Sequence, residues 1–420
     1  MSPPHRPETI YLHIGLEKTG TSALQAVGSL NRYWLARRGV LYSRVAGHFT
    51  HSTLALYASE GSRYAARRGV VGLETATDFE NQRSILQRGL KAEFARTGCK
   101  TVWLSSEHLS SRVKGAARTA RLAELLQPLA ERVRVVVYLR HQPELYLSSY
   151  STLVRLGNDI AIDDRHPRTN NYFYRFDKIL DSWAESFGRD ALIVRIFDRR
   201  ELKNGDVIDD FFDVLGITRD ATMNTPKKQN RRLDGQTLQF MRVFNRHVPP
   251  LIGSHRNPDY DDAATLLENV STYTPLAISG RAMRRIANMF EPFNQDVARK
   301  YLGRPDGNLF QQANYEGMTP TPEINVEAAK SIGLALCDAK GNQIRELAKG
   351  RYRAVERQLA LLEQDARDRL NAATSVDDAV RAAIDIWLIR QRYLQNMQQP
   401  EPRSAPVPAQ ARPRKEVVLS

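Results

Sequence analysis

The 420-residue sequence predicts an α/β fold, a central parallel sheet flanked by helices, followed by an all-helical C-terminal extension. Three observations carry this. From residue 9 to about 218, short apolar runs rich in β-branched residues alternate with helix-length segments. Beyond that point no convincing strand follows. From about 323 to 398 the pattern is helical and charged, and Pro400, Pro402, Pro406, Pro408 and Pro413 crowd the last stretch.

In order, residues 10–14 form a compact apolar strand. Residues 22–38 carry Leu24, Val27, Leu30, Trp34 and Leu35 at helical spacing, with Gly39 as the stop. A helix over 79–97 turns Phe79, Ile85, Leu86, Leu90 and Phe94 inward and ends at Gly98, and residues 101–105 follow as a strand. Residues 133–139 are the strongest strand signal, a β-branched run bounded by charge. Helices over 142–156 and 172–187 stop at Gly157 and Gly188, a strand spans 191–197, and a helix over 207–215 stops at Gly216. Strands separated by helices in this way make a parallel sheet covered on both faces. Helices then fall at 233–247 and 281–302, with 249–275 read as loop. The expected organisation is a disordered lead over 1–8, an α/β domain over 9–310, the helical extension over 323–398 and a disordered tail over 400–420. The extension lacks sustained heptads, which leaves packing on the α/β domain or pairing with another subunit as its uses.

Composition narrows the function. With 42% apolar and 26% charged residues the chain is an ordinary globular one. It holds no apolar run long enough for a membrane span. Its first residues, Met1 to Pro7, carry no apolar core of a secretory signal. Cys99 and Cys337 form no CxxC pair, which fits a reducing compartment and a cytoplasmic location. Sixty-one basic against 47 acidic residues give a net charge of +14, and 48 of the basic residues are Arg. That points to an anionic partner. No nucleic-acid reader motif accompanies the charge, so nucleic-acid binding is not expected.

The most informative segment is Gly15-Leu-Glu-Lys-Thr-Gly-Thr-Ser22, between the first strand and the first long helix. There the free N–H groups and positive end of a helix face outward. Gly15 and Gly20 let the backbone close around an anion, Lys18 supplies a point charge, and Thr19, Thr21 and Ser22 supply hydroxyls. The plainer reading is a tight turn whose hydroxyls cap a helix. It is not a nucleoside-triphosphate loop, in which Lys follows the second glycine and a hydroxyl holds magnesium. A second constellation is Arg140 at the end of the strongest strand with Ser148 eight residues on, able to grip one phosphate from two sides or to be an ordinary sheet-edge Arg and helix Ser.

Together these stretches resemble the sulfotransferases that use 3′-phosphoadenosine 5′-phosphosulfate. Leu12-His-Ile-Gly-Leu-Glu-Lys-Thr-Gly-Thr-Ser22 is similar to that family's 5′-phosphosulfate loop, and Val137-Tyr-Leu-Arg-His-Gln-Pro-Glu-Leu-Tyr-Leu-Ser-Ser-Tyr150 to its 3′-phosphate segment. Ser105-Ser-Glu-His-Leu-Ser110, Leu180 to Gly188, Asn204 to Gly216 and Tyr301 to Phe310 are further stretches similar to bacterial sulfotransferase-like proteins, so the likeness runs to about residue 310; 323 onward has no counterpart. The resemblance implies a P-loop nucleoside-kinase-like fold. It places Lys18 against the transferred sulfate, Thr19, Gly20, Thr21 and Ser22 around the 5′-phosphate, and Arg140 and Ser148 on the 3′-phosphate. It implies a general base at Glu107 or His108, with His51 a lesser choice, no metal, and an acceptor hydroxyl on a small molecule, carbohydrate or glycoconjugate. Asn230-Arg231-Arg232 is a candidate second 3′-phosphate contact. Arg195 is open between the pocket and a structural ion pair, and residues 155–171 read as a basic loop over the acceptor. His13 reads as a core histidine, and His48 with His51 as a weak metal pair. A magnesium-ATP phosphotransferase and a non-catalytic nucleotide- or glycan-binding module remain as alternatives.

Overall fold

The computed structural model describes residues 5–59, 75–162, 167–226, 233–272, 274–348 and 352–398. The tail over 400–420, residues 1–4 of the lead and Asn230-Arg231-Arg232 lie outside the described residues. The chain forms two compact units. One holds the residues up to Asn257 together with Ser271–Glu323; the other holds Pro258–Val270 and the chain from Ile324.

The first unit is built on five strands: β1 (Thr9–His13), β2 (Val40–Tyr42), β3 (Thr101–Ser105), β4 (Arg132–Leu139) and β5 (Leu192–Ile196). All pair in parallel in the order β2-β3-β1-β4-β5. The chain leaves β1 towards β2 and β3 on one side and returns for β4 and β5 on the other. The carboxyl ends around β1 are therefore a topological switch point, where open α/β sheets bind ligands. Alternation along each strand feeds two cores. Ile10, Leu12, Val102, Leu104, Val135 and Val137 pack into one face, whereas Trp103, Val136 and Tyr138 pack into the other. Helices α1 (Thr21–Leu30), α2 (Arg32–Ala36) and α9 (Val207–Val214) cover the second face. Helices α4 (Ala76–Thr97), α6 (Ala116–Leu126), α8 (Phe176–Phe187) and α12 (Gly280–Leu302) cover the first. The remaining helices of this unit are α3 (Thr53–Ala58), α5 (His108–Arg112), α7 (Gln142–Arg155) and α10 (Gly235–His247). Ahead of β1, Glu8 N donates to Lys100 O at 2.8 Å and the Pro7 carbonyl accepts from Glu131 N at 3.1 Å.

Three local expectations change. The helix expected over 22–38 breaks at Asn31. Asn31 keeps its backbone bond to Val27 O at 3.0 Å, while its side-chain amide donates to Val27 O and Asn224 O and its oxygen accepts from Asn224 N, a tertiary anchor at the break. Ile85 faces outward, 53% exposed, while Phe79, Leu86, Leu90 and Phe94 are buried as expected. The stretch 249–275 is not all loop. It holds a two-residue hairpin, Leu251–Ile252 against His255–Arg256, and helix α11 (Pro258–Val270).

In the second unit α11 packs on α13 (Val326–Ala348), and α14 (Tyr352–Ala372) and α15 (Val376–Gln398) complete the bundle. Its interior is partly ionic. Arg390 and Glu363 are both buried, with Arg390 Nε on Glu363 Oε1 at 2.7 Å, and Lys340 Nζ meets Asp262 Oδ2 at 3.0 Å. Among the described residues, no helix is long and apolar enough to cross a membrane.

Candidate active site

Lys18, Thr19, Gly20, Thr21, Ser22, Glu107, His108, Arg140 and Ser148 all lie at the carboxyl edge of the sheet or on the helix that follows it. After β1 the backbone takes left-handed conformations at Gly15 (φ 48°), Lys18 (φ 73°) and Gly20 (φ 81°). For a non-glycine residue such as Lys18 this costs of order 1–3 kcal/mol, strain of the kind that ligand clamps hold. Gly20 is the N-cap of α1 and no side chain caps the helix, so its first-turn amides are left for an anion. Two of the three expected hydroxyls turn inward instead. Thr19 Oγ1 donates to Leu16 O at 2.7 Å and Thr21 Oγ1 to the same carbonyl at 3.3 Å, while Ser22 is exposed. Thr19 and Thr21 therefore shape the loop and present their backbones.

On the β4 side, Arg140 follows the last residue of the strand. Its guanidinium is held three ways: Nη1 donates to Lys18 O at 3.1 Å, Nε and Nη2 each lie 3.2 Å from Glu144 Oε2, and the group stands 5.8 Å from the Phe197 ring centre. Lys18 Nζ donates to Thr152 Oγ1 at 2.7 Å. Glu144, Ser148 and Thr152 recur every fourth residue of α7, so one helix stripe faces both cations. Lys18, Arg140 and Ser148 line a single cavity of about 170 Å³, whose lining also holds the apolar Leu233, Leu238 and Leu276. A second cavity of about 570 Å³ shares Arg140 and Glu144 and includes Phe197, Arg199 and Val207.

On the β3 side, Glu107 and His108 flank the loop rather than the 170 Å³ cavity. Glu107 Cα stands 3.2 Å from where a Cβ on Gly15 would be, so the two backbones touch. Gln25 Nε2 donates to Glu107 Oε2 at 2.8 Å. His108 is the first residue of α5, and its backbone N donates to Ser106 Oγ at 3.3 Å.

His13 and His51 are structural. His13 and His51 are fully buried, and burial pushes each down to about 3, so both are neutral at ordinary pH. His51 Nδ1 accepts from Ser105 N at 2.8 Å, which makes its Nε2 the donor to Ser43 O at 3.0 Å. His48 is exposed and, like His51, lies in loop, so the two share no helix face. Arg195 is committed to a structural pair: its guanidinium makes a bidentate contact with Asp210, which is fully buried and also accepts from Tyr138 Oη at 2.8 Å and Lys203 N at 3.0 Å. Burial works against the Asp210 charge, but these donors hold its carboxyl below the usual range. Of the loop expected over 155–171, Arg155 closes α7, and Tyr146 and Tyr150 donate to Ile162 O and Ile160 O.

Gln25, Glu144 and Thr152 were not singled out from sequence. Gln25 carries a signal: it lies four residues after Thr21, on the helix face that turns with the phosphate-facing first turn.

No family model matches the chain. A stretch of 115 residues, 27% of the chain, is 27% identical to an uncharacterised protein of Archaeoglobus fulgidus and spans 31% of that protein's length. Among solved structures the chain is similar to a sulfotransferase from Alicyclobacillus acidocaldarius, at 17% identity and a TM-score of 0.31, over 54% of this chain and 87% of that one. At that identity and TM-score the α/β fold class rests on the five-stranded parallel sheet itself.

Proposed function

We propose that the chain is a sulfotransferase that moves the sulfuryl group of 3′-phosphoadenosine 5′-phosphosulfate onto a hydroxyl of a carbohydrate or glycoconjugate. The observation that carries the reading is the shared cavity. Lys18 from the loop after β1 meets Arg140 and Ser148, which follow β4 and lie on α7, there, giving two anion-binding points around one space. A donor with a phosphosulfate at one end and a separate 3′-phosphate requires that pair, whereas a nucleoside triphosphate requires only the loop.

In this reading the amides of Thr19, Gly20, Thr21 and Ser22 hold the 5′-phosphate, and Lys18 releases Thr152 to stand against the bridging oxygen. Arg140 and Ser148 take the 3′-phosphate. Glu107 or His108 accepts the acceptor proton as the hydroxyl oxygen bonds to sulfur. In the same step the bond from sulfur to the bridging oxygen breaks, and 3′,5′-adenosine bisphosphate leaves with the electron pair. Lys18 and the helix N-terminus offset the charge growing on that leaving phosphate. Arg155 at the end of α7 and the exposed Arg168 beyond it fit an anionic or polyhydroxylated acceptor. No step here calls for a metal.

Thermal shift with 3′,5′-adenosine bisphosphate, 5′-AMP and magnesium-ATP in parallel tests this. Stabilisation by the bisphosphate well above that by 5′-AMP is expected. A preference for magnesium-ATP would overturn the reading in favour of a phosphotransferase, and bisphosphate binding with no transfer activity would favour a binding module.

A further inference from the structure

We infer that Gln25 is a positioning residue for this reaction: its amide fixes one oxygen of Glu107 and so selects the other to take the acceptor proton. The inference rests on the sulfotransferase reading, with Glu107 rather than His108 as the base.

Gln25 is 2% exposed and sits one turn past the α1 amides proposed to hold the 5′-phosphate. Its Nε2 lies 2.8 Å from Glu107 Oε2, and 3.4 Å from both Ser105 O and Thr50 Oγ1. An amide has two N–H groups. The short contact commits one to the carboxylate, and the two long contacts share the other. The Glu107 main chain is pinned as well. Its carbonyl accepts from Ser110 Oγ at 3.1 Å and Ser111 Oγ at 3.2 Å, and its Cα rests against Gly15. A carboxylate free to turn offers either oxygen in any direction. One held at Oε2 and at its backbone offers Oε1 in one direction. Because α1 also carries the phosphate-facing amides, one rigid helix sets the donor and the base relative to each other. In-line transfer needs that registration to within about 1 Å.

The test is a double-mutant cycle on the slow hydrolysis of the phosphosulfate donor, with water standing in for the acceptor hydroxyl. Wild type, Gln25→Leu, Glu107→Gln and the double variant are compared, with bisphosphate stabilisation measured on each. Gln25→Leu is expected to lower the hydrolysis rate about tenfold to a hundredfold while bisphosphate still stabilises it as it does wild type. In the Glu107→Gln background the same substitution is expected to change nothing. Equal factors in both backgrounds, or lost bisphosphate stabilisation in Gln25→Leu, would overturn the inference by making Gln25 a packing residue. Gln25→Asn keeps the amide but not its reach; it serves the same cycle, with the same pattern expected, if Leu perturbs folding. Wild-type hydrolysis in Glu107→Gln would remove Glu107 as the base, and the inference with it. A wild type no better stabilised by the bisphosphate than by 5′-AMP would instead sink the sulfotransferase reading itself.

Discussion

Arg140 Nη1 donates to the main-chain oxygen of Lys18 at 3.1 Å, so the end of β4 and the strained loop after β1 are fastened by the two residues whose charges face the cavity. The rest of the Arg140 fork is turned to Glu144, four residues on, whose side chain is 51% exposed. The same helix thus offers Arg140 a carboxylate at Glu144 and, in the proposed complex, a phosphate beside Ser148.

Glu144 is expected to compete with that phosphate. With Glu144 half-exposed, solvent screens its pair with the buried Arg140, which contributes about 0–1 kcal/mol, against about 1.5–3 kcal/mol for a charge-assisted hydrogen bond that must be formed anew. Glu144→Gln should therefore tighten 3′,5′-adenosine bisphosphate binding a few-fold, and Arg140→Ala should weaken it about tenfold to a hundredfold. Glu144→Gln should leave binding of 5′-AMP, which lacks the 3′-phosphate, much as it was, and Arg140→Ala, which also unfastens the loop at Lys18 O, should weaken 5′-AMP less than the bisphosphate. Calorimetric titration of both nucleotides checks this. Weaker bisphosphate binding in Glu144→Gln would mean that Glu144 orients Arg140 rather than contends for it.

What the sequence made legible was what lies close along the chain. The β-branched run over 133–139 announced a strand because that preference is local, and the Gly15–Ser22 loop announced a helix N-terminus for the same reason. Two misreadings came from local signals that admit two meanings. Pro258-Asp-Tyr-Asp reads as loop by composition, yet Pro at the first helical position with acids behind it is also how a helix begins. Asn31 sits in a helical pattern, and only Asn224, 193 residues away, shows why the helix stops there. The site divides likewise. Lys18, Arg140 and Ser148 sit in contiguous motifs, whereas the Gln25–Glu107 contact spans 82 residues and no periodicity reports it.

The buried histidines predict the acid limit of stability. His13 and His51 fall to about 3 in the fold against an ordinary value of 6.5. Between those values the unfolded chain binds protons that the folded chain refuses. Their contribution is therefore complete above pH 6.5 and is lost as pH falls towards 3, by about 1.4 kcal/mol per pH unit for each histidine. Unfolding at pH 5 should take up about two protons at these positions. Tm measured against pH in wild type and His51→Gln checks the sign: the variant should lose about one proton's worth of slope below pH 6.5. Unchanged slopes would mean that His51 is protonated inside the fold.

Gly15 joins loop to base, and its replacement separates backbone strain from the contact with Glu107. An alanine there would hold φ at 48° and bring its Cβ within 2.7 Å of Thr21 Oγ1 and 3.2 Å of Glu107 Cα. Gly98, the cap after α4, is the control: its φ is 65° and nothing stands within 4 Å of an added Cβ. Gly98→Ala should cost only the left-handed penalty of about 1 kcal/mol and leave bisphosphate binding as it was. Gly15→Ala pays that and must also shift Thr21, whose hydroxyl is bonded to Leu16 O inside the loop, and the backbone that carries Glu107. A larger fall in Tm than in Gly98→Ala, together with reduced bisphosphate stabilisation and reduced donor hydrolysis, is expected from paired melts and hydrolysis rates. If the two variants melt alike and Gly15→Ala keeps full hydrolysis, the loop yields without moving Glu107, and the close approach of the Glu107 backbone to Gly15 has no part in placing the base.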